Sequence, residues 1–251
     1  LGLYSNYLIF VNLIRQIVGK IFEALTGSLG NLLAKEDGEK AYDIFNKMFF
    51  ANFGIVSFCV VGIYVLIDPF IRLWIGPDYL LPTSVEAIIC INLYLRLIRN
   101  TALTYCDTLG IFEKMQKKCI AEALLNIVIS LFLLLPMKMG IFGVLLGTFF
   151  SNLLTNFWYE PWVLFKDVFK KSQGKYYLTF FLYFGYSMVV SVALRKFINL
   201  IEWDNLMGAF IIKLVLFLAL YTISFWIVFG RTKNYQYYKA VVLKRVQRGK
   251  T

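Results

Sequence analysis

The run from Tyr4 to Leu33 is apolar apart from Asn12, Arg15, Gln16, Gly19, Lys20, Glu23, Gly27 and Gly30. Placed about 100° apart as on a helix, these positions fall within an arc of roughly 140°, while Leu13, Ile14, Ile17, Val18, Ile21, Ala24, Leu25 and Leu29 take the other side. The pattern predicts one long helix with a polar stripe. In water that is an ordinary amphipathic helix. In a bilayer it is a helix with its apolar back to lipid and its stripe towards an aqueous cavity, because a charge in hydrocarbon costs several kcal/mol unless it meets water or a partner.

Further apolar stretches, each long enough to cross about 30 Å of hydrocarbon, recur along the chain. The expected spans are 4–33, 46–67, 84–109, 118–136, 140–163, 176–197 and 207–229, a seven-helix, all-α polytopic membrane protein. Barrel strands would alternate apolar and polar positions, and these stretches do not. The segment from Asp68-Pro69 to Gly76, bracketed by proline and glycine, is expected to leave the membrane and lie along its outer surface.

Two later spans repeat the stripe. Asn92, Arg96, Arg99, Asn100, Asp107 and Gly110 lie within about 100° of arc. In the next span Lys118, Glu122, Asn126 and Ser130 follow at four-residue steps. Gly143, Gly147, Ser151 and Thr155 form instead a ladder of small residues suited to close helix packing, intramolecular in a polytopic chain. The last two spans carry no stripe and are expected at the lipid-facing edge, with Lys213 snorkelling.

Composition fixes the solvent. The chain is 59% hydrophobic, 18% aromatic and 16% charged, with a mean hydropathy of +0.67. Its formal charge of +11 sits mostly in segments 34–45, 110–118, 164–175 and the tail from Arg231, whereas 68–83, 137–139 and 198–206 hold few basic residues. The positive-inside rule makes the first set cytoplasmic, so the chain is expected to start outside and end inside. The tail reads as an orientation signal attracted to anionic head groups rather than a nucleic-acid site. Trp74 and Trp203 are expected at one interface, and Trp158, Trp162 and Trp226 at the other.

Histidine is absent and the four cysteines show no CxxC spacing, so no metal site, cofactor or disulfide framework is expected. A chain starting at Leu1 reads as a piece of something longer. The arginines of the stripes outnumber the evident carboxylate partners, since Glu23 can pair with Lys20 and Asp107 with one arginine. Such a surplus points to an anionic, phosphate-bearing substrate, which suits the guanidinium fork.

Gly2-Leu-Tyr-Ser-Asn-Tyr7 with Thr26-Gly-Ser-Leu-Gly-Asn-Leu32, Pro69-Phe-Ile-Arg-Leu-Trp-Ile-Gly76 with Asp78-Tyr-Leu-Leu81, Gly140-Ile-Phe-Gly-Val-Leu-Leu-Gly-Thr148, and Trp158-Tyr-Glu-Pro161 with Leu164-Phe-Lys166 together resemble the Wzx-type polysaccharide repeat-unit flippases. These belong to the superfamily of the multidrug and toxic-compound exporters. The likeness covers 1–175 well and the rest loosely. It implies most of the C-terminal lobe of a two-lobe protein, with 1–175 as lobe core, 176–230 as two peripheral spans and 231–251 as a basic cytoplasmic tail.

The resemblance further implies a bacterial inner-membrane protein that flips undecaprenyl-diphosphate-linked oligosaccharide by alternating access. Its partners would be membrane lipids, the polysaccharide polymerase and the export machinery. Arg15, Lys20, Arg96 and Arg99 are then expected to hold the diphosphate, and Asn12, Gln16 and Asn100 the sugar hydroxyls. Glu23, Asp107 and Glu122 are candidates for ion coupling. Cys106-Asp107 before Gly110-Ile-Phe112 departs from the family's usual arginine-acid pair, so no role of that arginine carries over. The rival readings are a membrane polymerase or glycosyltransferase, which short outer loops disfavour, and a drug exporter, which would want carboxylates.

Overall fold

The computed structural model describes residues 2–33, 35, 38–200 and 205–248. Among them the chain is helical, without strands: α1 (Gly2–Leu33), α2 (Gly38–Trp74), α3 (Thr83–Ile98), α4 (Asn100–Thr108), α5 (Phe112–Leu134), α6 (Gly140–Leu154), α7 (Asn156–Val163), α8 (Gly174–Asn199), α9 (Leu206–Phe229) and α10 (Lys233–Arg248). Short 3₁₀ and π turns cover Pro77–Tyr79 and Leu164–Phe169. Trp203, expected at an interface, lies outside the described residues.

Four helical stretches are long and apolar enough to cross a membrane: Gly38–Trp74, Gly140–Phe169, Gly174–Asn199 and Leu206–Phe229. The chain is an all-α membrane protein. The other expected spans, 4–33, 84–109 and 118–136, are largely helical too, but they carry the polar stripes.

Helix α2 is the central post, touching α1, α3, α8, α9 and α10. Its side chains Phe53, Val56, Val60, Val61 and Ile71 are completely buried. Phe53 stacks on Tyr183 of α8, and Gly62 leaves room for Phe217 of α9, whose ring would stand 3.1 Å from a Cβ placed there. Where lipid is as apolar as the helix surfaces, such close fit is what holds helices together.

Pro69 does not break the helix: α2 continues through it to Trp74, and Gly76, where φ is 103°, stands just beyond its end. Proline removes one backbone donor and crowds the preceding turn. Here Ile67 and Ile71 on either side of it are buried, and Asp68 is tied to Arg195 of α8. Tertiary anchoring overrides the breaker.

The span 84–109 is also not one helix. It is broken at Arg99 into α3 and α4. Asn52 of α2, fully buried, donates its amide to the carbonyls of Leu97 (3.0 Å) and Ile98 (2.9 Å). Those carbonyls sit at the break, so a neighbouring side chain takes over where the helical ladder is interrupted.

The small-residue ladder packs α6 against α5 within the chain. A Cβ at Gly147 would lie 2.1 Å from Ser130 Oγ, and one at Gly143 3.1 Å from Leu133 Cβ. Asn126 donates to Thr148 and Ser151 at 3.2 Å each. The third stripe is therefore partly spent on this hairpin.

Contacts gather the basic segments at one end of the molecule. Lys114 pairs with Asp167 (2.6 Å), Lys171 with Glu39 (2.6 Å), and Tyr238 of α10 donates to the Lys47 carbonyl (3.1 Å). At the opposite end the Tyr7 hydroxyl accepts from the Leu81 N–H (3.0 Å) and donates to Glu86 Oε1 (3.1 Å).

Candidate functional site

Helix α1 leans on the rest of the molecule by a narrow strip, Tyr7, Val11, Val18, Phe22 and Leu29. This divides its surface three ways. Val18 and Leu29, expected on the lipid side, are buried against the neighbours, while Leu13, Ile17, Ile21 and Leu25 remain exposed and apolar. The polar stripe lies between these two faces.

That stripe meets the stripe of α3. Asn12, Arg15, Gln16 and Gly19 from α1 form one wall of a cleft of about 330 Å³, and Arg96, Leu97 and Asn100 form the other. Arg15 Nη1 donates to Asn12 Oδ1 at 3.3 Å. Arg96 has no ion-pair partner among the described residues, and both Arg15 and Arg99 lie within its electrostatic reach. No carboxylate lines the cleft among the described residues. Arg15 stands about 12 Å along the helix from Tyr7, which joins the Glu86 cluster.

The cleft is thus a polar recess with two guanidinium groups and three amide side chains. Each guanidinium offers a planar fork of N–H donors, the geometry that matches phosphate or carboxylate oxygens two at a time. The amides donate and accept, as hydroxyl-rich ligands require. Two cations facing one recess repel each other, and a bound anion relieves that repulsion.

The other expected site residues lie apart from it. Lys20 and Glu23 pair with each other at 2.7 Å on the exposed surface of α1, with side chains 78% and 69% accessible. Arg99 turns away from the cleft and grips Glu160 of α7, its Nε 2.9 Å from Oε2 and its Nη2 on Oε1. Lys118 of α5 closes on the same carboxylate. Asp107 is in electrostatic reach of Glu160 and Lys118, and Glu122 in reach of Arg96.

Sequence reasoning missed Glu160 as the partner of Arg99 and Lys118. The one available signal was that it is the sole acid between Glu122 and Asp167. It missed, too, the cluster in which Arg195 of α8 reaches both Asp68 and, at 2.7 Å, the fully buried Glu86. The Arg195–Glu86 contact is an ion pair outside hydrogen-bond alignment, since Glu86 Oε2 accepts no hydrogen bond. Arg195 thereby ties α8 to α2 and α3, and α1 joins them through the Tyr7–Glu86 bond. Sites for a metal are not formed among the described residues, and the described cysteines are all free.

Compared with known proteins, the chain matches no family model, no curated sequence and no solved structure.

Proposed function

We propose that this chain is the greater part of the C-terminal lobe of a flippase for undecaprenyl-diphosphate-linked oligosaccharides, with the diphosphate held between Arg15 and Arg96. The observation that carries the reading is the shared cleft: two arginines on different helices, unpaired with any carboxylate, face one recess inside a membrane protein. Two neighbouring arginines without an ion-pair partner are costly to keep in a membrane even with Glu122 in reach of Arg96, and an anionic ligand offsets the cost. Asn12, Gln16 and Asn100 are placed for sugar hydroxyls or ester oxygens.

On this reading the seven spans are the four apolar helical stretches together with α1, the α3–α4 pair and α5. The basic end faces the cytoplasm of a bacterial inner membrane. The exposed apolar and polar faces of α1 meet a second lobe, and rocking of the two lobes exposes the cleft to each side in turn. A cation exporter would want carboxylates in the recess, and the drug-exporter reading is weaker for that reason.

The test uses the full-length protein in a cell lacking its own repeat-unit flippase. Arg15→Ala and Arg96→Ala are expected to abolish surface polysaccharide at unchanged membrane abundance, with lysine at either position restoring it in part. Normal export by both alanine variants at normal abundance would overturn the reading.

A further inference from the structure

A second recess lies at the basic end, between α5 and α7, and encloses about 520 Å³. That is within the range of about 300–1,000 Å³ typical of ligand pockets. It is separate from the arginine cleft and shares no residue with it. One side is polar, with Lys117, Lys118 and Gln173; the other is apolar and aromatic, with Leu154, Trp158 and Trp162.

The polar side is cationic and partly preorganised. The Lys118 side chain is only 5% accessible and is held in place by Glu160. That same carboxylate also takes Arg99, so one acid serves two cations. Lys117, one position earlier, is exposed and has no ion-pair partner among the described residues. Lys166 stands 4.5 Å over the Trp162 ring and adds charge at the rim. The nearby acid Asp167 is taken by Lys114.

The aromatic side faces outward. Trp158 and Trp162 are 56% and 43% accessible, and neither indole N–H has a partner among the described residues. Trp158 is fixed by contact with the Tyr177 ring at 5.5 Å. Tryptophan rings with a free N–H at the end of an apolar helix are suited to the head-group level of a bilayer, where one edge is wet and the other apolar.

We infer that this recess binds one anionic phospholipid, its phosphate between Lys117 and Lys118 and its upper acyl chain along Leu154 and Trp158. A free phosphate would leave the aromatic wall unused, and a zwitterionic head group would bring a cation of its own up against Lys117. Basic recesses between membrane helices that combine these two features recognise anionic head groups. The inference rests on the membrane character of the chain and does not depend on the transport reading.

The test is tryptophan quenching in nanodiscs. Trp74, Trp203 and Trp226 are changed to Phe so that Trp158 and Trp162 report alone. Phosphatidylcholine discs are doped with either brominated-acyl phosphatidylglycerol or brominated-acyl phosphatidylcholine. Phosphatidylglycerol is expected to quench at a lower mole fraction, and Lys117→Gln to shift its half-quenching point about fivefold upwards, as loss of one interfacial lysine requires. Lys244→Gln in α10, which does not line the recess, is expected to leave that point unchanged. Equal quenching by both lipids would overturn the inference, as would a preference that survives Lys117→Gln or falls equally with Lys244→Gln.

Discussion

Arg99 and Glu160 form a two-pronged ion pair that joins the break between α3 and α4 to helix α7. Glu160 is fully buried and Lys118 closes on it from α5, so four helices converge on one carboxylate. Removing the shared acid leaves two cations without their partner. Glu160→Gln should cost about 3–5 kcal/mol of stability, the loss expected when a buried pair is broken from one side. Lys118→Met should be milder, since Arg99 still covers the carboxylate. Thermal unfolding in a fixed detergent separates the two, and equal losses would mean that Glu160 does not organise the cluster.

The opposite end depends on the converse arrangement, one cation serving two acids. Arg195 holds Asp68 and Glu86, and Tyr7 donates to Glu86 at 3.1 Å. Arg195→Met is expected to detach α8, leaving the buried Glu86 and the half-buried Asp68 without a cation and lowering stability by about 3–5 kcal/mol. The triple variant Arg195→Met, Asp68→Asn, Glu86→Gln should recover much of that loss. Protease cleavage in the connection between α7 and α8 would report the detachment; if the single and triple variants are cut alike, the charge cluster is not what holds α8.

The arginine cleft was legible because it is made of local periodicity. Asn12, Arg15 and Gln16 share a helix face by spacing alone, as do Arg96 and Asn100, and apolar surroundings require such faces to find a polar recess. The remaining polar pairs were not legible for the opposite reason. Arg99 and Glu160 are 61 positions apart, Arg195 and Asp68 127, and Asn52 and Leu97 45. Each partner sits on a different helix far along the chain, and nothing local says which distant helix will meet it. Pro69 is a related case: the local signal to end α2 is real, but Asp68 is held by a residue far along the chain, and the helix runs on.

Close packing of α5 on α6 gives a prediction of a different kind. A Cβ at Gly147 would fall 2.9 Å from the Ser130 backbone, which cannot rotate away. Gly147→Ala should therefore cost about 1–3 kcal/mol, the usual penalty for overpacking. Ser130→Gly in the same chain removes the Oγ but not the backbone clash, so it should rescue only partly. Melting temperatures of the three variants decide this, and a neutral Gly147→Ala would mean the helices can separate freely.

Asn52 provides the link between packing and the cleft. Its amide nitrogen covers the Leu97 and Ile98 carbonyls beside the α3–α4 break, and Leu97 itself lines the arginine recess. Asn52→Leu roughly keeps the volume but takes the amide donor from both carbonyls, leaving the Leu97 oxygen only the Arg99 N–H, which should cost about 1–3 kcal/mol. Closing the break would give those carbonyls helical partners, and doing so rotates Asn100 relative to Arg96. In a background with all four native cysteines changed to Ser, Asn100→Cys reports that rotation by its rate of reaction with a charged thiol reagent. A change in rate on adding Asn52→Leu is expected. An unchanged rate together with unchanged stability would show that the break is set by α3 and α4 alone, and that Asn52 merely occupies a place beside them.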